Sequence, residues 1–296
     1  MKFNEINARS SAFAEYLRSD EKAENTIKSY LHDLKMFNTW AAAQQYDNAE
    51  ISRDLIVQYK NDLLTAGKHE KTINRKLTSI HRFLSFCGYT GEDADRLDIQ
   101  GMNTLDDVIT KSEYLRMLDA ALTPPPQAVK RGLKPNPRLR MAMLILANTG
   151  IRYGELKYFT YEAVKESTPE SGLKVTNKGK TRIIPMNKKL KKAIMAYCTT
   201  EGITGGYIIR TRTGGIISDS QLFKEMQKLA GYLRINKKHV HPHAFRHLFG
   251  QSYMDTYGRI DELADILGHS NIQTTRIYSR TSTKAKSNNV ERMGLI

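Results

Sequence analysis

Cysteine is nearly absent from this 296-residue chain, which holds only Cys87 and Cys198. Two thiols cannot build a disulfide framework or a four-cysteine zinc site, so a reduced, cytoplasmic protein is the expectation. Long apolar runs are missing too. The longest, Met141–Ala147, falls far short of the roughly 20 residues that span a bilayer, so no membrane partner is expected. The opening MKFNEINARS has no apolar core of the kind a signal peptide needs. Proline is scarce at eight residues, and five of the eight fall between Pro124 and Pro137, marking Thr123–Pro137 as an exposed, mobile loop.

Acidic side chains are the remaining shortage. Thirty-one Asp and Glu stand against forty-six Lys and Arg, a net charge of +15. Residues 1–107 carry 14 basic and 17 acidic side chains, a net of −3. Residues 108–296 carry 32 and 14, a net of +18. A polyanion is the partner that such a lopsided distribution suits best, an anionic membrane surface or simple solubility being the blander readings. Hydrophobic content of 40% is enough to bury a true core.

The length suggests two domains. The first reads as a small helical bundle. Ile27, Tyr30, Leu31, Leu34 and Phe37 keep helical spacing over Asn25–Ala42. Asp54–Leu64 repeats the pattern, with Ser52 as N-cap and Gly67 as stop. Lys71–Phe86 places Ile73, Leu77, Ile80 and Leu84 on one stripe. Its other face shows Lys71, Asn74, Arg75, Thr78 and Arg82, side-chain types that reach phosphates and base edges, or else a solvated helix face. The boundaries are read as 1–98 for this domain, 99–109 for a linker and 110–296 for a second domain.

In the second domain, helical character over Thr110–Ala121, Arg138–Asn148, Lys189–Cys198 and Gln221–Leu233 is interrupted once. Leu173, Val175, Ile183 and Ile184 flank Asn177-Lys178-Gly179-Lys180, a β-hairpin by composition. The fold class is therefore mainly α with a small antiparallel β element. Ser218 with Gln221, and Ser270 with Gln273, have the spacing of capping boxes, the second opening the helix that bears Tyr278.

Four segments in the basic half carry chemistry: TGIRYGE (149–155), NKGKTR (177–182), HPHAFRH (241–247) and LGHSNIQTTRIYS (267–279). Pro242 suits the first helical position, so His243, Arg246 and His247 fall on one helix face. Gly268 suits a left-handed helix end. Four nearby histidines raise a metal reading, but Ala244 stands where a zinc hydrolase helix would need Glu. No metal ligand set is expected.

The order and spacing of these segments resemble the tyrosine recombinase, or phage integrase, family, near its Xer-type and transposon-integrase members. The resemblance spans the chain and is densest from Asn148 to Arg280. It implies a helical, SAM-like core-binding domain and a catalytic domain in a C-clamp layout. It places the family's catalytic groups on Arg152, Lys178, His243, Arg246, His269 and the nucleophile Tyr278, nine residues after His269. Lys178 is the weakest placement, because the interval to Pro185 is one residue shorter than the family's common hairpin spacing; Lys180 is its rival. Glu155 would orient Arg152, and His247 would be a structural neighbour of the catalytic set.

The activity so implied is site-specific cleavage and rejoining of double-stranded DNA through a 3′-phosphotyrosyl link, with no ATP, metal or other cofactor. A homotetramer on DNA would be the working form, its tail Thr281–Ile296 docking on a neighbouring subunit, and the protein would sit in the cytoplasm on the nucleoid. A type IB topoisomerase-like nicking-closing enzyme and a catalytically silent DNA-binding accessory are the alternatives. A two-metal transposase lacks its carboxylate cluster, since Glu155 is the only acid within the four segments.

Overall fold

The computed structural model describes residues 1–89, 108–177, 180–269 and 271–278. The chain divides into two compact units, Met1–Asn103 and Thr104–Ile296.

In the first unit, α1 (Glu5–Ser19), α2 (Glu24–Ala43), α3 (Arg53–Thr65) and α4 (Glu70–Phe86) form a bundle. Ser52 caps α3 by accepting the Leu55 N–H, and Gly67 follows its end at φ +68°, where a side chain would be strained. The His69 ring caps α4 through Nδ1, which accepts from the Lys71 N–H at 3.2 Å. The apolar stripe of α4 is buried throughout, with Ile73, Leu77, Ile80 and Phe83 meeting Phe13, Leu17, Ile27, Leu34 and Phe37. Phe13 meets Phe83 edge-on at 5.2 Å between ring centres.

One carboxylate lies inside this bundle. Asp33 of α2 is fully buried and accepts from Arg75 and Ser79 of α4. Its Oδ1 lies 3.6 Å from the mostly buried Lys76 ammonium. Burial of a charge is tolerated there because two cations and a hydroxyl surround it.

The second unit is built on α5 (Lys111–Leu122), α7 (Pro137–Thr149), α9 (Lys188–Thr200), α10 (Asp219–Tyr232) and α11 (Pro242–Tyr257), with the short α6 (Pro126–Lys130), α8 (Tyr161–Glu166) and α12 (Ile260–Leu267). Thr110 and Glu113 form a reciprocal capping box on α5. Asn136 caps α7, Pro137 takes its first position and Gly150 ends it at φ +60°. Leu139, Met141, Ala142, Met143, Ile145 and Leu146 are all buried, so α7 is the core helix against which α5, α9 and α11 pack.

Strands β1 (Leu173–Asn177) and β2 (Lys180–Ile184) pair antiparallel, Leu173 with Ile184 through Asn177 with Lys180. Leu173, Val175 and Ile184 are buried, whereas Ile183 turns outward, as the twofold alternation of a strand requires.

Three expectations need correction. Thr123–Pro137 is exposed over most of its length, as expected, but it is not irregular throughout: it contains α6 and buries Ala128 and Leu133. Pro126 sits in the first turn of α6, where a missing N–H costs nothing. Arg131 donates to the Tyr232 carbonyl at 2.5 Å, and the Tyr232 hydroxyl donates back to the Arg131 carbonyl. At α10 only half of the capping box forms, because Ser218 accepts from Gln221 N–H while the Gln221 amide turns to Glu225. The segment bearing Tyr278 is two short 3₁₀ turns, Ile272–Thr274 and Arg276–Tyr278, not an α-helix; its expected cap, Ser270, lies outside the described residues. Among the described residues no helix is long and apolar enough to cross a membrane.

Candidate active site

Arg152, Glu155, Arg246, His269 and Tyr278 converge where the end of α7, strand β2, α11 and the end of α12 meet. The backbone turns at Gly150, and Arg152 opens a 3₁₀ turn over Tyr153–Tyr158. Glu155, 1% exposed, accepts from the Arg152 backbone N–H at 2.7 Å and lies 3.4 Å from its guanidinium. Arg152 also donates to the Gly268 carbonyl at 3.1 Å. Glu155 thus contacts Arg152, yet its main partner is a residue not singled out from the sequence. Arg182 of β2 forms a two-pronged pair with it, both contacts at 2.7 Å.

Arg182 also donates through Nε to the Ile266 carbonyl at 3.2 Å. Its side chain crosses Gly268, where an added Cβ would fall 2.7 Å from the Arg182 Cδ. Glycine is required there twice over, for that approach and for φ +65° at the end of α12. A signal for Arg182 was present in the strand pattern: it lies two residues from buried Ile184, on the same face.

Arg246 is 5% exposed. Its Nη1 donates to the Gly150 carbonyl at 2.6 Å, and its Nη2 reaches the Leu267 carbonyl and His269 Nε2, each at 2.8 Å. Burial and the neighbouring Arg152 bring its pKa down to about 10, so it remains charged at neutral pH.

A guanidinium can only donate, so His269 Nε2 must accept. The ring is then neutral, with its proton on Nδ1 directed at the buried Thr275 hydroxyl, 2.8 Å away. Burial, with Arg246, Arg152 and Arg182 nearby, takes its pKa down to about 4. In this arrangement the cation beside it makes His269 an acceptor.

Tyr278 is 3% exposed. Its hydroxyl meets His247 Nδ1 at 2.8 Å. Its ring lies in a niche opposite Gly250, where an added Cβ would fall 2.7–2.9 Å from three ring carbons. Leu263, Leu267, Phe249 and Ile277 complete the apolar surround. Burial raises the phenol pKa to about 12, against the opposing pull of Arg246. His247 thus sits closer to the tyrosine than its expected structural part suggested. His243 lies one turn earlier on α11 and keeps an open side to solvent. Desolvation, Arg246, His241 and Arg152 all lower its pKa, and for a ring so placed the cations are the firmer cause.

The remaining histidines of this region have separate employments. His241 Nδ1 caps α11 by accepting from Ala244 N–H, and His239 lies 3.3 Å from Glu113. Among the described residues no group of three or more His, Cys, Asp or Glu could hold a metal ion. Lys178 lies outside the described residues. Lys180 opens β2 opposite Asn177.

The candidate DNA-facing side of α4 belongs to the first unit. Lys71 is exposed. Arg75 turns to Asp33 and Ser29, Thr78 donates to the Asn74 carbonyl in its own helix, and Arg82 pairs with Asp20 at 2.6 Å.

Residues 11–88 match the phage integrase N-terminal SAM-like domain, and residues 107–285 match the phage integrase family. The chain is 26% identical to the TnP I resolvase of Bacillus thuringiensis, over 94% of this chain and 97% of that protein. It is 24% identical to tyrosine recombinase XerA of Pyrococcus horikoshii, over 96% and 93%. Its fold is similar to that of the Tn1549 transposon integrase in complex with circular intermediate DNA, with a TM-score of 0.72, 17% identity and coverage of 99% and 100%. The XerH site-specific recombinase bound to its difH substrate gives a TM-score of 0.66, 14% identity and coverage of 89% and 78%. With the catalytic match alone spanning well over half of its length, this chain belongs to the phage integrase family.

Proposed function

We propose that this tyrosine recombinase cleaves and rejoins double-stranded DNA at a specific site, with Tyr278 as nucleophile and a 3′-phosphotyrosyl intermediate. The observation that carries the reading is the convergence of two arginines, a neutral histidine and a buried tyrosine on one point of the unit whose residues 108–296 carry a net charge of +18.

The chemistry explains the residue types. A phosphodiester repels an incoming oxyanion, and its transition state gathers further negative charge on the non-bridging oxygens. Arg152 and Arg246 supply guanidinium forks that match those oxygens, and losing one such donor costs roughly 3–4 kcal/mol of barrier. With a pKa of about 12, forming the Tyr278 phenolate at pH 7 costs about 7 kcal/mol. Attack therefore needs a group that takes the proton as the new bond forms. The leaving 5′-oxygen needs a proton in turn, and Lys178 and Lys180 are the two candidates to give it. The free 5′-hydroxyl of another strand then attacks the phosphotyrosyl link and reseals the DNA, the bond energy having been kept covalently.

The working form in this reading is a homotetramer on its DNA site, in the cytoplasm, with Thr281–Ile296, which lies outside the described residues, docking on a neighbouring subunit. The lambda integrase, whose fold is similar at a TM-score of 0.68, has been solved as a tetramer bound to a Holliday junction. Lys71, Asn74, Arg75, Thr78 and Arg82 are the proposed contacts of the first unit to DNA. The test uses nicked duplexes built from the inverted repeats beside the gene, incubated with EDTA. The expected product is an SDS-stable protein–DNA adduct that disappears in Tyr278→Phe. An adduct that survives the substitution, or that requires Mg²⁺, overturns the reading.

A further inference from the structure

We propose that His247, rather than His243, is the catalytic residue that takes the proton from the nucleophile. This rests on Tyr278 being that nucleophile. The hydroxyl to be deprotonated lies 2.8 Å from His247 Nδ1, within the reach that proton transfer demands. The contact is prepared from both sides. Gly250 leaves room for the tyrosine ring on the same face of α11, one turn beyond Arg246, and any Cβ there would collide with it. From α12, Leu263 and Leu267 pack with the ring in one apolar cluster. The hydroxyl is thereby directed at one imidazole nitrogen, one residue after the arginine that binds across to Gly150 and Leu267.

His243 has a different geometry. It lies a turn earlier on α11, open to solvent, with Arg246, His241 and Arg152 as the charges around it. That position suits the phosphate side of the reaction. His269 is unsuited to the transfer as well, because Arg246 occupies its Nε2 and Thr275 its Nδ1.

The step balances as follows. With the His247 proton on Nε2, Nδ1 takes the proton from the Tyr278 hydroxyl while the phenolic oxygen bonds to phosphorus. The bond from phosphorus to the 5′-oxygen breaks, and that oxygen takes a proton from the hairpin lysine. On resealing, the imidazolium returns its proton to the departing tyrosine.

The experiment is single-turnover cleavage of the nicked inverted-repeat duplex by the full chain, from pH 5.5 to 9.5, with DNA affinity measured in parallel. His247→Ala and His247→Gln should each lower the cleavage rate at pH 7 by about 10²–10⁴-fold, with affinity within about threefold of the parent chain. Both variants should regain rate as pH rises, and added imidazole should restore part of the activity of His247→Ala. Glutamine can still accept the tyrosine hydrogen bond but cannot carry the proton, so it separates proton transfer from seating the ring. A substrate with a 5′-bridging sulfur, whose leaving group needs no proton, should rescue the lysine variants and leave the His247 deficit in place. A glutamine variant that cleaves at the parent rate overturns the proposal. So does a deficit that the sulfur substrate repairs, or one with the parent pH profile and no imidazole rescue. Failure of the unaltered chain to form any adduct through Tyr278 would instead sink the recombinase reading itself.

Discussion

Glu155 gives both carboxylate oxygens to Arg182, Oε1 to Nη1 and Oε2 to Nη2, each at 2.7 Å. The same carboxylate holds the Arg152 backbone N–H. Strand β2 and the turn that begins at Arg152 are therefore fastened through one buried group, and Arg182 extends the fastening to the end of α12 through Ile266.

Removing one partner of that pair strands the other in the interior. Glu155→Gln should lower the stability of the catalytic unit by about 3–5 kcal/mol, the usual cost of leaving a buried charge unpaired. Urea denaturation measures it. Glu155→Gln combined with Arg182→Leu should recover much of the loss, because no uncompensated charge is left. A single variant within 1 kcal/mol of the parent would show that the pair is weaker than its geometry implies.

Gly250→Ala inserts a methyl group where three ring carbons of Tyr278 already stand at 2.7–2.9 Å. Either the ring leaves its niche or α11 shifts, at about 1–3 kcal/mol. DNA affinity should hold while adduct formation falls by at least about tenfold, as expected when a reacting atom is misplaced. Adduct yield against time on the nicked duplex reads this out, and an unchanged yield would mean that the niche is not where Tyr278 reacts.

His269 gives a pH dependence of defined sign. Its pKa in the fold is about 4, below the ordinary imidazole value of 6.5. Between those values the unfolded chain binds a proton that the folded chain refuses, so stability falls as pH drops from about 6.5 to 4 and levels off below. The contribution is at most about 3 kcal/mol. Melting temperatures from pH 7.5 to 4.5 should therefore decline less steeply for His269→Gln than for the parent. Parallel declines would place the His269 titration at its ordinary value.

On α4, neighbouring cations should behave differently. Lys71 is exposed, and Lys71→Ala should weaken DNA binding evenly across sequences and reduce the salt slope by about 1, without changing stability. Asp33→Asn should instead destabilise the first bundle by about 3–5 kcal/mol, because Arg75 and Lys76 lose a fully buried partner. Filter binding over a salt series and thermal melts of both variants test the contrast.

Much of this was legible in the sequence because the signals are local. Ser52, Gly67, Pro242 and Gly268 each act on the turn in which they stand, and the apolar stripe of α4 is a property of spacing. The set Arg152, Arg246, His269 and Tyr278 was legible through the resemblance of its order and spacing to the phage integrase family. What escaped depends on distant pairings. Arg75 looked like a surface cation until α2 brought Asp33 beneath it. Nothing near Arg182 announces Glu155, and nothing near His247 announces that Tyr278 returns to face it. The 3₁₀ turns before Tyr278 and the ordered Thr123–Pro137 stretch owe their form to the surfaces they lie on, which no local pattern reveals.

The partners of Arg152 and Arg246 have one further effect. Arg246 is held by the carbonyls of Gly150 and Leu267, and Arg152 by that of Gly268. These are backbone dipoles at the ends of α7 and α12, where the helix field already favours a cation. Glu155, the acid closest at hand, directs its charge mainly to Arg182. A carboxylate clamp would have fixed the guanidiniums equally well and cancelled their charge. Arg246 is anchored by neutral oxygens and Arg152 only loosely by Glu155, 3.4 Å away and committed to Arg182, so the pair keeps most of its positive field, and a phosphodiester is a group that can neutralise it.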